Sequence, residues 1–114
     1  MSAGSADVQQ LLDEASGSVA VGELEQAAAL FRKATEQDPA CFDAWHGLGM
    51  VLMRSGELKA ALGAALMATD LQPNDLLAWT SLSQIHVKMG NIADAEAAKG
   101  NARILSLGGR VVKS

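Results

Sequence analysis

Between Asp43 and Asp75 the apolar positions follow a helical period twice. Trp45, Leu48, Gly49 and Leu52 stand at i, i+3, i+4 and i+7, on one side of a helix. Ser55-Gly56-Glu57 interrupts that helix, and Leu58, Ala61, Leu62 and Ala65 then restart the same spacing until Pro73 stops it. The pattern predicts a helix–turn–helix pair. Such a pair cannot bury the apolar side of both helices by itself and needs neighbours.

The neighbours stand 34 residues away on either side. That shift takes Trp45 to Trp79, aligns Gly22 with Gly56 and Gly90, aligns Ala27 with Ala61 and Ala95, and aligns Pro39 with Pro73. Glu23, Glu57 and Asn91 follow the three glycines, and Leu24, Leu58 and Ile92 come next. Six antiparallel helices are therefore predicted, over about 7–20, 23–37, 40–54, 57–71, 74–88 and 91–107. Asp38 before Pro39 reads as an N-cap with proline in the first helical turn. Gly63, in mid-helix among alanines, reads as a point of close helix approach, because it otherwise costs about 1 kcal/mol against alanine. Residues 1–6 are small and polar and are expected to be disordered. Residues 7–109 form the repeat domain, with repeats over about 8–41, 42–75 and 76–109, and residues 110–114 are a tail, frayed or folded back.

The first helix is the most dilute copy. Leu11, Glu14, Ala15 and Ser18 stand where the second repeat has Trp45, Leu48, Gly49 and Leu52. The last helix is also altered: Leu62, Ala65 and Leu66 of the middle repeat become Glu96, Lys99 and Gly100. Polar residues at both ends are expected of terminal repeats, and they favour a soluble molecule of three repeats.

These landmarks resemble the tetratricopeptide repeat family, whose pattern is Trp-x2-Leu-Gly-x2-Tyr, then Ala, an aromatic and Pro over 34 residues. The middle repeat has Trp45-x2-Leu48-Gly49-x2-Leu52, Ala61 and Pro73; the first has Ala27, Phe31, Ala34 and Pro39; the third has Trp79, Leu82, Gly90, Ala95 and Ala102. The resemblance covers roughly residues 7 to 109. It implies an all-α fold, three tandem helix–turn–helix repeats stacked as a right-handed superhelical α-solenoid. It also implies a concave groove, lined by the first helix of each repeat, in which peptides or helices dock.

Composition narrows the partner class. Abundant alanine, no tyrosine and few β-branched residues suit closely packed helices rather than sheet. The net charge of −4, with Lys and Arg scattered, argues against a nucleic-acid partner. No apolar run reaches the ~20 residues of a membrane span, and the first residues lack the basic and apolar regions of a secretory signal. One cysteine, Cys41, permits no internal disulfide. A cytoplasmic chain, monomeric or weakly self-associating, is the default expectation.

The face opposite Trp45 carries the candidate binding residues. On the third helix it consists of Asp43, His46, Gly47, Met50, Met53 and Arg54. The fifth helix repeats it with Leu77, Thr80, Ser81, Gln84, Val87 and Lys88, and the first with Gln9, Leu12, Asp13, Ser16, Val19 and Ala20. By resemblance these positions line the groove, and the chosen site residues are Leu12, Asp13, Asp43, His46, Met50, Met53, Arg54, Leu77, Ser81, Gln84 and Lys88. Asp13 and Asp43 offset Arg54 and Lys88, while the methionines, Leu12 and Leu77 supply adaptable apolar surface. Such a groove suits an amphipathic helix or short apolar segment. Some family members clamp the C-terminal carboxylate of a chaperone with Lys, Arg and Asn. The matching positions here, Leu12, Ser16, Gly47, Leu77 and Ser81, carry none of these, so that activity is not expected.

Chemistry motifs are sparse. His46 and His86 lie on different helices, and His86 falls in a buried column. No Cys-His cluster has metal spacing, and no Gly-rich loop precedes a helix in phosphate-binding form. Trp45 and Trp79 read as inter-helix packing, and Glu23, Glu57, Asp94 and Glu96 as solvated charges near helix starts. No enzyme activity, cofactor or metal is expected. Two functions compete: a scaffold holding a peptide or amphipathic helix in its groove, and a dedicated chaperone for apolar segments, similar to the three-repeat chaperones of type III secretion.

Overall fold

Glycine turns the chain at the same place in each repeat. Gly22, Gly56 and Gly90 have φ of 81°, 85° and 81°, a left-handed conformation that side chains resist. Around each, the next residue's N–H reaches back to a helical carbonyl: Glu23 to Ser18 at 2.9 Å, Glu57 to Leu52 at 2.9 Å, Asn91 to His86 at 2.8 Å. This is the glycine-capped helix end that satisfies the last carbonyls. Three identical corners make three similar hairpins.

The computed structural model describes residues 3–111 and places six helices among them: α1 (Ala3–Ala20), α2 (Leu24–Gln37), α3 (Phe42–Arg54), α4 (Leu58–Leu71), α5 (Leu76–Met89) and α6 (Ile92–Ser106). Helix α1 already includes Ala3 to Ala6, within the segment expected to be disordered; Met1 and Ser2 of that segment lie outside the described residues. Each helix packs on the next, and α3 also touches both α1 and α5. The odd-numbered helices therefore run side by side along one face. The molecule measures 40 × 32 × 20 Å.

The second helices of the hairpins are knitted in by alanine. Ala27, Ala34, Ala61 and Ala68 have no exposed surface, and Ala95 and Ala98 retain 3%. Small side chains let backbones approach, so the large core residues Leu52, Ile85 and Val51 sit on the first helices. Each contributes roughly 1.5–3 kcal/mol by leaving water. Close approach is concentrated at Gly49, where a Cβ would stand 3.4 Å from the Ala65 amide nitrogen and 3.5 Å from the Ala61 carbonyl. Gly63 does not play the part expected of it. A Cβ there would meet nothing within 4 Å, because Gly63 points outward from α4.

The turns between hairpins differ from expectation. Asp38 caps the end of α2 rather than the start of α3; its N–H reaches the Ala34 carbonyl, and its carboxylate accepts the Ala40 N–H at 3.1 Å. Pro39 lies in this turn, and α3 begins only at Phe42. Likewise α5 begins at Leu76, capped by the Asp75 carboxylate accepting from the Ala78 N–H at 2.9 Å. The prolines have another use. The Trp45 indole N–H donates to the Pro39 carbonyl at 2.7 Å, and Trp79 donates to Pro73 at 2.8 Å. Both rings pack against the core while their polar edge pins the preceding turn. The two tryptophans thus occupy like surroundings, as the repeat predicts.

His86 is buried, and its Nδ1 lies 3.3 Å from the Asn91 side-chain nitrogen Nδ2, the paired core histidine expected from its column. Cys41 packs beside Ala34 and Ala44, holding a free thiol. The tail folds back as far as it is described: Val111 donates its N–H to Asn74 Oδ1 at 2.8 Å, and residues 112–114 lie outside the described residues.

Candidate functional site

Because α1, α3 and α5 run side by side, the columns assigned to the groove fall on adjacent helices. Between α1 and α3 they enclose a recess of about 350 Å³. Gln9, Leu12, Asp13 and Ser16 form one wall, Asp43, His46 and Gly47 the other, and the Phe31 ring of α2 lies beneath. Gln9 Nε2 donates to Asp13 Oδ1 at 3.0 Å and so fixes the acidic wall.

Phe31 is the part of this site that the sequence reading assigned only to the family's aromatic column. A Cβ added at Gly47 would overlap its ring. The glycine on α3 therefore lets the aromatic ring of the preceding repeat rise to the inner surface. The signal existed in the sequence as an unexplained glycine at a helix position 16 residues past an aromatic, but only packing shows that the two meet.

The next junction along the face is built differently. His46 Nε2 lies 3.2 Å from Ser81 Oγ, and the Ser81 hydroxyl donates to Met50 Sδ at 3.1 Å. The His46 ring stacks on Phe42, with centroids 5.4 Å apart and planes 9° from parallel. A polar bridge flanked by an aromatic stack therefore joins α3 to α5.

Burial sorts the eleven candidate residues. Asp13, Asp43, Arg54, Leu77, Gln84 and Lys88 are exposed, and Leu12, His46 and Met50 are half-buried. Met53 and Ser81 are buried, at 9% and 7%, so they support the surface rather than form it. Leu77, 62% exposed, and Val87, 56% exposed, are apolar groups on the α5 part of the face. Asp43 and Arg54 occupy the first and last turns of α3, roughly 16 Å apart at the helical rise. Lys88 repeats Arg54 in the last turn of α5. The face is acidic along the edge holding Asp13 and Asp43 and basic along the other.

Among the described residues no group of three or more His, Cys, Asp and Glu side chains is placed to hold a metal ion, and no helix is long and apolar enough to cross a membrane.

A family model for the tetratricopeptide repeat matches residues 12–75, more than half of the 114 residues. The chain belongs to the tetratricopeptide repeat family. This tetratricopeptide repeat protein is similar in fold to a MamA structure from strain AMB-1, with a TM-score of 0.83, 24% identity, and coverage of 89% of this chain and 60% of that one. It is similar to the second repeat domain of Spaghetti (RPAP3) bound to the HSP90 peptide SRMEEVD, with a TM-score of 0.85, 15% identity, and coverage of 92% and 99%. It is also similar to a chain of the CopN–Scc3 complex, with a TM-score of 0.82, 18% identity, and coverage of 86% and 58%. The chain thus spans about three fifths of the MamA and CopN–Scc3 chains that it matches. No curated protein matches it in sequence.

Proposed function

We propose that this tetratricopeptide repeat protein is an interaction module that holds a peptide or amphipathic helix along the face formed by α1, α3 and α5. The recess floored by Phe31 is the observation that carries the reading, since a preformed hollow lowers the ordering cost of binding. Beside it, Met50, Leu77 and Val87 offer apolar surface between an acidic and a basic edge. A ligand with an apolar stripe and opposite charges on its two flanks matches that arrangement. The contacting residues are Leu12, Asp13, Asp43, His46, Met50, Arg54, Leu77, Gln84 and Lys88, with Met53 and Ser81 beneath them.

The solved second domain of Spaghetti holds an acidic HSP90 peptide. The present face differs where a carboxylate would need cations: Leu12, Ser16, Gly47, Leu77 and Ser81 supply none. The ligand class is therefore apolar-flanked rather than a free acidic C-terminus. His46 Nε2 lies beside Ser81 Oγ, but the Ser81 side chain is buried and its hydroxyl donates to Met50 Sδ, so the reading is a non-enzymatic one. The alternative, a dedicated chaperone for apolar segments, uses the same surface and draws on the exposed Leu77 and Val87. The reading includes a cytoplasmic setting, in which the Cys41 thiol stays reduced.

Capture from native lysate, with mass spectrometry on the eluate, followed by titration of a synthetic segment of the captured protein, tests the reading. Met50→Glu and Leu77→Glu should each leave helicity intact and abolish capture. Capture that survives both substitutions rules the face out. A captured segment that is unfolded and apolar when free would favour the chaperone alternative.

A further inference from the structure

We propose that copies of this chain dock head to tail, the leading face of α1 in one copy seating on the trailing face of α5 and α6 in another, in the way that α3 seats on α1 and α2. The proposal concerns the two ends of the stack; Asp13, Val87 and Lys88 border both these ends and the inner face, whereas Asp7, Glu14, Lys99 and Arg103, which test it, lie outside the ligand-contacting set.

The repeat makes both end surfaces recognisable. On the leading side, Ala44, Leu48 and Val51 of α3 are buried, and so are their equivalents Ala78, Leu82 and Ile85 of α5. The same columns in α1 hold Gln10, Glu14 and Gly17, all exposed. On the trailing side, Phe31 and Thr35 of α2 are buried at 7% and 5%, and Ala65 and Thr69 of α4 at 3% each. Their third copies are Lys99 and Arg103, both exposed. The apolar columns of that side are opened in the same way. Val8 is 6% exposed where Leu76 is 42%, and Met53 is 9% exposed where Val87 is 56%. Recesses of about 490 and 420 Å³ lie on this surface, the first beside Val87, Lys88 and Lys99, the second beside Leu76, Glu96 and Arg103.

Polar substitution at the ends of a repeat array is usually a device for solubility. Here the substituted charges have opposite signs at the two ends. The leading face carries Asp7 and Glu14, with Lys33 of α2 bordering the same hollow, and Asp13 stands where α1 meets the inner face. The trailing face carries Lys88, Lys99 and Arg103, with Glu96 beside them. The register matches as well. Gly47 meets Phe31 at the first junction, and the equivalent columns at the second are Ser81 and Ala65. One step further places Asp13 of the incoming copy over Lys99. A second copy is therefore an occupant that answers both the shape and the charge of the trailing face. The contact joins two different surfaces, so it repeats without closing and gives an open-ended series that lengthens the inner face.

Sedimentation velocity of the intact chain over a concentration series tests this. At low ionic strength the weight-average mass should climb without a plateau, and added salt should lower it. Asp7→Lys with Glu14→Lys removes the acidic face; Lys99→Glu with Arg103→Glu removes the basic one. Each double variant changes exposed side chains only, and each should lose at least about tenfold in association constant. Mixed together they should regain open-ended association in alternation, since the native acidic leading face of the second fits the native basic trailing face of the first and the two reversed faces fit each other. A native chain that stays monomeric at every concentration in low salt overturns the proposal. So does a plateau at a closed dimer, or association that neither double variant weakens.

Discussion

The two junctions between repeats use the same backbone columns with opposite chemistry. At the first, Phe31 fills the space that Gly47 leaves, and the contact is apolar. At the second, the equivalent positions are Ala65 and Ser81; the ring is absent, and Ser81 is tied to His46 and Met50. The first junction holds by volume, the second by hydrogen bonds over a small-residue backbone. A hydrogen bond contributes about 1 kcal/mol net and a buried aromatic ring several times that, so the first junction is the stronger anchor and the second the easier to adjust. The α3–α5 part of the inner face is then the natural place for variation in what is bound.

The largest test of that contrast is Phe31→Ala. It should cost about 3–5 kcal/mol, because a cavity is left where no neighbouring side chain can fill in opposite Gly47. A denaturant melt showing less than about 1 kcal/mol would mean that the ring is not the anchor. Next comes Gly47→Val, which introduces a side chain where the Phe31 ring stands. A loss of about 2–3 kcal/mol is expected, with the change in ring environment visible by NMR. If Phe31→Ala restores part of that loss in the double variant, the two residues share one space. The smallest effect belongs to the second junction. Ser81→Ala should cost only about 1 kcal/mol and shift the His46 ring resonances, since it removes the hydrogen-bond partner of Nε2. A loss as large as that of Phe31→Ala would erase the distinction between the junctions.

The solenoid was readable without coordinates because its causes are local and repeated. Glycine at 22, 56 and 90 adopts the same left-handed corner each time, and Trp45 and Trp79 meet the same proline carbonyls. Three copies of one signal outweigh the ambiguity of any single one. The turn at Asp38 differs from expectation because an Asp before Pro is a start signal only when the helix follows at once, and here α3 begins at Phe42, with the Trp45 indole bonded to the Pro39 carbonyl. Gly63 was misread because a glycine among alanines does not reveal which way it points. The buried places of Met53 and Ser81 were also hidden, since both lie on a column whose exposure depends on the helix next door.

Periodicity alone determined the element order and the hairpin corners, because these follow from spacing within about 34 residues of chain. Which surfaces remain open was decided by tertiary packing. Phe31 floors a recess, His46 bridges to Ser81, and the end faces of α1 and α6 lie bare because of where whole helices come to rest. Burial is a property of pairs of elements, and a residue's own neighbours in the chain do not carry it.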